Sequence, residues 1–397
     1  MDEQKTKSIL IITSEAFPYG MAGTNRIISL AKGFKLNDVE VEVLSIFKYG
    51  KSYNQTNFPV HGTYEGIAYT NVLIAEAKHL TRLKRVIKRN ISSLLILKYL
   101  IRKVDKNTKI LYYSPWIWPA LLVRLFTRVR RNIFVKEETE HPSLRLKGKS
   151  KIYQTIYLNH YYQIFDGLFV ITQNLHDFFV RELRYRKPIL IVPMVVDLES
   201  YTNDNKTIHN AIVFSGELDI EKEGLDILLR AFAAFVGRHP EYILDLYGKP
   251  VSHTQELRIN NLIAELSLSE SVRLNGFKTR DELTEILSAA RILVFTRPPS
   301  LQATYGFSTK LGEYLAVGKP VIATKVGEID RYLVDRVNAF LADPECLSVQ
   351  AKMEEIVNDY KFALEVGKEA RNCAIINFNN KIEAERIINF FRSVGAS

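Results

Sequence analysis

Cysteine is scarce: Cys346 and Cys373 are the two in 397 residues, far apart and without metal-ligand spacing. That excludes a disulfide scaffold or a thiolate zinc cluster and predicts two reduced, mostly buried thiols. The Asn54-Gln55-Thr56 sequon then carries no sugar. Long apolar runs are lacking too. Residues 94–101 are interrupted by Lys98, and residues 116–126 by Pro119 and Arg124, so nothing reaches the roughly 20 apolar residues of a spanning helix. The opening Met1-Asp2-Glu3-Gln4-Lys5-Thr6-Lys7 does not have the layout of a secretion signal, and the apolar stretch 8–13 is too short for one. A cytoplasmic location is expected. Neither Asp-x-Asp nor a histidine pair at ligand spacing occurs, so no metal site and no bound cofactor are expected. There is no internal repeat and no low-complexity segment. No nucleic-acid recognition motif accompanies the net charge of +10, and no nucleic-acid partner is expected.

What the chain does have is charge, placed unevenly. Residues 1–200 hold 31 Lys and Arg against 17 Asp and Glu, whereas residues 201–397 hold 23 against 27. Such asymmetry points to a basic face on the first half for phosphates or anionic lipid. The length exceeds one hydrophobic core and predicts two domains, 1–200 and 201–379, with the polar run 202–207 as the linker. Apolar strands are predicted at 8–13, 41–46, 110–113, 133–136, 168–171 and 189–192, with helices such as 24–36 between several of them. The pattern restarts with strands at 211–215, 242–247, 272–274, 292–295 and 321–324, and helices at 225–236, 255–266 and 280–289. Strands alternating with helices imply an α/β chain of two Rossmann-like parallel-sheet domains. The segment after strand 133–136 reads as a loop in which Glu138 and Glu140 are candidate acceptor-side carboxylates, with solvated acids the expected reading.

The most informative segment is 306–324. Gly306 permits close backbone approach, Ser308 or Thr309 can cap a short helix, and free N–H groups at such a helix start suit a diphosphate. Glu313 lies about one turn further in, where a carboxylate could accept hydrogen bonds from a ribose diol. Gly318 and Pro320 then end the helix before an apolar strand. The segment reads as a nucleotide-sugar pocket. A second strand, glycine turn and helix, 214–225, places Gly216, Glu217 and Lys222 at a strand's C-terminal mouth, where open α/β sheets bind ligands. Arg297 follows the strand 292–295 toward the same edge. Turns at Gly248 and Gly276 end two further strands.

Segment 306–324 resembles the donor motif of retaining glycosyltransferases of family 4 (group 1), and the resemblance extends over nearly the whole chain. It implies the GT-B fold: an acceptor-side domain 1–200, a donor-binding domain 201–379, two Rossmann-like sheets facing a central cleft, and a last helix, 380–397, returning to the first domain. It implies that Glu313 binds the ribose, that Lys222 and backbone N–H groups hold the donor diphosphate, and that His141 lies near the transferred sugar, giving His141 and Lys222 catalytic roles. Gly23, Gly216, Gly248, Gly276, Tyr305, Gly306, Phe307, Ser308, Thr309 and Lys310 complete the implied donor site. Two positions depart from the family pattern. Tyr305 stands where a sugar-binding glutamate is usual, and Glu217 where a phosphate-binding arginine is usual; Lys310 is the candidate to compensate.

The run 78–103 contains Lys78, Arg82, Lys84, Arg85, Lys88, Arg89, Lys98, Arg102 and Lys103 interleaved with leucines and isoleucines, without a single carboxylate. A cationic amphipathic helix is predicted, suited to an anionic membrane surface. With the resemblance, the expectation is a peripheral enzyme on the inner face of the cell membrane. It would move a sugar, with retention, from a UDP- or GDP-type donor to a hydroxyl of a glycan or polyprenyl-diphosphate-linked acceptor. The alternatives are a non-catalytic nucleotide- or membrane-binding protein of the same fold, and a nucleotide-sugar epimerase.

Overall fold

The structure, a computed structural model, describes residues 6–46, 59–72, 82–201 and 209–396, with the backbone alone for 82–92 and 396. The expected linker 202–207, Lys78 and the sequon at Asn54 lie outside the described residues, as do the side chains of Arg82, Lys84, Arg85, Lys88 and Arg89. The chain divides into two compact units, Met1–Val195 with Asn380–Ser397, and Val196–Asn379.

The first unit carries strands β1 (Ser8–Thr13), β2 (Glu40–Ser45), β3 (His61–Tyr64), β4 (Ile67–Asn71), β5 (Lys109–Tyr113), β6 (Phe134–Glu138), β7 (Gly167–Val170) and β8 (Ile189–Ile191). They form one sheet in the order β3-β4-β2-β1-β5-β6-β7-β8. All pairs are parallel except β3 with β4. A central parallel strand is covered on both faces, which is why β1 reads Ser-Ile-Leu-Ile-Ile-Thr with no polar alternation. The β3–β4 hairpin has no counterpart among the strands expected from the sequence. Its turn residues Glu65 and Gly66 both have positive φ, 48° and 74°, the geometry that suits a two-residue hairpin loop.

Its α-helices before residue 195 are, among the described residues, α1 (Ala22–Lys35), α2 (Arg82–Lys103), α3 (Ile117–Arg130), α4 (Ser143–Leu146), α5 (Lys151–Ile156) and α6 (Gln173–Asp177). The C-terminal helix, Asn380–Ala396, belongs to this unit. It buries Ile387, Ile388, Phe390 and Phe391 in the same core as Ile9, Ile28 and Phe169. Gly33 on α1 makes the crossing possible, because a Cβ there would collide with the Asn380 carbonyl.

The second unit carries β9 (Ala211–Ser215), β10 (Ile243–Tyr247), β11 (Val272–Gly276), β12 (Ile292–Phe295), β13 (Val321–Thr324) and β14 (Phe340–Ala342). Their order is β11-β10-β9-β12-β13-β14, with every pair parallel. Helices α7 (Ile220–Glu223), α8 (Leu225–Val236), α9 (His253–Glu265), α10 (Arg280–Ala289), α11 (Leu301–Tyr305), α12 (Thr309–Val317), α13 (Cys346–Asn358) and α14 (Tyr360–Asn377) connect and cover the strands. Strand β14 and helices α13 and α14 are likewise additions to the sequence-based pattern. Because the sheet is parallel, β9 to β13 end on one edge, the edge at which such sheets bind ligands. Cys373 is buried and Cys346 half-buried. Among the described residues no helix is long and apolar enough to cross a membrane.

Candidate functional site

The ligand edge of the second sheet is built on three adjacent glycines. Gly216 after β9, Gly248 after β10 and Gly276 at the end of β11 all have positive φ, 145°, 139° and 69°. They are stitched together by the backbone: Gly216 N–H donates to Tyr247 O at 2.9 Å, and Gly248 N–H to Gly276 O at 2.8 Å. A side chain at Gly248 would fall on the Gly216 carbonyl oxygen. Only glycine satisfies both the left-handed backbone and that approach.

Beside this rim stands a buried charge cluster. Lys310 Nζ donates to Glu223 Oε2 at 2.7 Å, and Arg297 Nη2 donates to Glu223 Oε1 at 2.8 Å. A Cβ on Gly216 would collide with the Lys310 ammonium, so that glycine and the cation touch. The ammonium also lies 4.2 Å from the centroid of Phe214. Burial lowers the Lys310 pKa to about 8, with Glu223 opposing and Arg297 adding to the shift. Burial alone would raise the Glu223 carboxyl, but the charges of Lys310 and Arg297 outweigh it and hold the group below its ordinary range. Two cations thus share one carboxylate, leaving net positive charge against a glycine turn, the arrangement that an incoming phosphate neutralises.

The local fold fixes Glu223. Asp219 caps α7 by accepting from Lys222 N–H at 2.8 Å, and Gly224 closes it in the left-handed conformation at φ 67°. Thr296 donates to the Glu223 carbonyl at 3.1 Å. Lys222, to which the resemblance gives the diphosphate, donates to Glu217 at 2.6 Å, with both side chains about one-third exposed, and its charge is also felt at Lys310. In this structure the inward charge from this segment is Glu223.

On the donor motif, Tyr305 ends α11 and is half-buried. Gly306 is extended, with φ −106°, rather than left-handed. The Phe307 ring packs 5.5 Å from Tyr332 and 6.0 Å from Phe378, so its side chain is part of an aromatic cluster. Ser308 is the buried N-cap of α12 but makes no side-chain cap hydrogen bond, contrary to expectation; Thr309 is the first helical residue. Tyr314, one position after Glu313, anchors α12 to β9: its hydroxyl accepts from Ser215 N–H at 2.7 Å. Glu313 is half-buried, and its charge, after burial itself, pushes the Tyr201 hydroxyl well above its ordinary range. The motif residues Lys310 and Glu313, with Gly216, Gly248 and Gly276, therefore belong to one unit.

His141 and Gly23 lie in the first unit. The His141 Nδ1 accepts from Ser143 N–H at 3.3 Å and stands 2.7 Å from the Ser143 hydroxyl, and its ring lies 4.2 Å from Phe178. Burial lowers its pKa and favours the neutral ring, in which an Nδ1 that accepts from Ser143 N–H leaves the proton on Nε2. Gly23 is the second residue of α1; a Cβ there would stand 2.8 Å from the Glu15 carboxyl carbon. Burial, followed by the Glu140 charge, raises the Glu15 pKa.

Sequence reasoning misses the charges inside β6. Glu138 is not the solvated loop residue expected, because β6 runs on to it, and Lys136, Glu137 and Glu138 are all buried. Glu138 is held by Arg145 and by the Tyr162 hydroxyl at 2.9 Å. Arg26 on α1 donates to Glu137 at 2.6 Å and to the carbonyls of Pro193 and Val192 at 2.7 and 2.9 Å. The signal is present as a Lys-Glu-Glu at the end of an apolar strand, where burial demands partners. Glu223 is missed because residue type points to its neighbour Lys222 as the inward residue.

Residues 201–373 match the family described as glycosyl transferases group 1. Over 388 residues, 97% of each chain, this protein is 23% identical to an uncharacterised glycosyltransferase of Methanocaldococcus jannaschii. Its fold is similar to that of sucrose-phosphate synthase from Thermosynechococcus elongatus, with a TM-score of 0.74, 15% identity, and 98% and 99% of the two chains covered. It is also similar to Anabaena HepE in complex with UDP, with a TM-score of 0.71, 15% identity, and 98% and 100% covered. The fold is GT-B, and within it residues 201–373 are the part that matches the group 1 glycosyltransferase family.

Proposed function

We propose that this protein transfers a sugar from a nucleoside diphosphate sugar of the UDP or GDP type to a hydroxyl of a glycan or polyprenyl-diphosphate-linked acceptor, with retention at the anomeric carbon. The observation that carries the donor part is the cluster Lys310–Glu223–Arg297 against Gly216, at the C-terminal edge of a parallel sheet. On this reading Lys310 and Arg297 neutralise the departing diphosphate, and rim glycines let its oxygens approach backbone N–H groups. Glu313 accepts the ribose hydroxyls from α12, held in register by Tyr314 on Ser215. The UDP held by the Anabaena protein of similar fold supports the nucleotide class. The lipid-linked acceptor is supported by the basic first half, and retention by the family resemblance, which alone supports roles for His141 and Gly23.

One observation favours a second reading, a nucleotide-binding protein without turnover. Glu217 is a carboxylate where the resemblance has a phosphate-binding arginine, and it engages Lys222. Calorimetry with UDP, GDP, ADP and their sugars on wild type and Glu313→Ala tests the donor site: one nucleotide should bind, at least about tenfold more weakly in the variant. Binding by none would overturn the transferase reading. Tight binding with no sugar released or transferred would favour the second.

A further inference from the structure

Helix α3 exposes an apolar face that no other described residue of its own unit covers. Trp118, Leu121, Leu125 and Val129 fall at helical spacing on one side, and three of them stand 59, 59 and 76% exposed at positions 118, 125 and 129. The opposite side is spent on the core, through Ala120, Val123 and Phe126. Helix α2 lies along α3 and adds exposed Leu94 and Ile101. Single exposed apolar residues are ordinary; a row of four on one helix, with two more exposed on the helix packed against it, marks an interaction surface.

The surrounding charge names the occupant. From Lys78 to Lys136 the chain has sixteen lysines and arginines and one carboxylate, Asp105. On the two helices Lys98, Arg102, Lys103, Arg128 and Arg131 are exposed, whereas Arg124 is turned to Asp166 at 2.7 Å and does not join them. A second copy pairing through this face would set these cations against themselves, and like charges across an interface oppose association. Nucleic acid would meet the cations but leave the tryptophan, leucine and valine row without an apolar partner. An anionic bilayer supplies both, acyl chains for the row and phosphates for its rim.

We propose that α3, with the C-terminal half of α2, docks on an anionic membrane surface by inserting Trp118, Leu121, Leu125 and Val129 at the headgroup boundary. The inference concerns adsorption of the first unit and does not depend on sugar transfer. The face is exposed in the folded chain, so substitutions on it leave the core intact.

The full-length protein is sedimented with vesicles of phosphatidylglycerol and phosphatidylcholine in equal parts, and with phosphatidylcholine alone. Binding is expected to the anionic vesicles, to weaken at about 0.5 M salt, and to fall by about tenfold in Leu125→Ser/Val129→Ser. Arg128→Glu should weaken it by about fivefold or more. The chain has two tryptophans, so Trp116→Phe leaves Trp118 as reporter, and its emission should shift to the blue on anionic vesicles. Thermal unfolding and nucleotide binding of each variant should match wild type. No binding to anionic vesicles, equal binding to neutral ones, or binding indifferent to the Leu125/Val129 change would overturn the proposal. So would a dimer in sedimentation velocity that the same double variant dissociates, since the face would then belong to a second copy.

Discussion

The Lys310 ammonium lies 2.7 Å from the Glu223 carboxylate, with side-chain exposures of 11% and 3%. Glu223 is therefore the counter-ion that lets two cations, Lys310 and Arg297, exist in the second unit without ligand. Removing it leaves both charges buried. Glu223→Gln should cost about 3–5 kcal/mol in the unfolding of that unit. The same variant should recover part of the loss when pyrophosphate is added, because a bound anion replaces the missing charge. Urea unfolding with and without pyrophosphate measures both. A variant as stable as wild type without ligand would show that the carboxylate does not perform this role.

Lys310 gives stability a dependence on pH. Its pKa in the folded chain is about 8, against an ordinary 10.5. Between those values the unfolded chain holds the proton that the folded chain has released, so unfolding free energy rises with pH across that window. The whole rise is on the order of 3 kcal/mol, and below about pH 8, where Lys310 is charged in both states, it is absent. Lys310→Met should flatten this slope. Nucleotide affinity should move the opposite way, declining above about pH 8 in wild type as the ammonium is lost. Denaturant titrations and calorimetry from about pH 6.5 to 9.5 would show both trends.

In the first unit, Arg26 and Glu137 make a pair with almost no solvent contact, and Arg26 also satisfies two backbone carbonyls. Arg26→Ala strands a buried carboxylate and both carbonyls, with an expected loss of about 3–5 kcal/mol. Arg26→Met/Glu137→Leu removes both charges and should lose less than the single variant. Comparing the two by chemical denaturation decides the matter: an equal or larger loss in the double variant would mean that the pair itself stabilises this unit.

These pairs also mark where the sequence stops being legible. Strands such as β9, β12 and β13 can be read to the residue, because a strand buried on both faces must be an uninterrupted apolar run. The capping box that opens α10, Thr279 with Glu282, is a local signal of the same kind. β14 escapes because three residues, Phe-Leu-Ala, carry no periodicity, and α13 and α14 because polar positions interrupt their apolar stripes. The charge cluster is harder still. Lys222 and Glu223 are neighbours on a four-residue helix, and which of them points inward is set by the Asp219 cap and Gly224, not by residue type. Nothing local says that Lys310, 87 residues further on, will meet Glu223. Burial of Glu137 and Glu138 likewise depends on partners from α1, Arg145 and Tyr162, none of them adjacent in the chain.

The seat of the C-terminal helix on the first unit depends on one missing side chain. Gly33 lies on the buried face of α1, and a Cβ there would collide with the Asn380 backbone and come within 2.9 Å of the Ala384 Cβ. Backbone at a helix start cannot retreat as a flexible side chain can, so Gly33→Val must push the helix away from the core formed with Ile387 and Phe391. A loss of roughly 1–3 kcal/mol is expected, the range for overpacking. Gly237 provides the control. It ends α8 with φ −60°, and a Cβ there meets nothing nearer than 3.9 Å, so Gly237→Ala should be neutral or stabilising by about 0.4–1 kcal/mol. Hydrogen exchange on both variants localises the effect. Gly33→Val should expose amides in residues 380–396 and along α1, whereas Gly237→Ala should leave those amides protected; unchanged protection in Gly33→Val would mean that the helix tolerates the displacement.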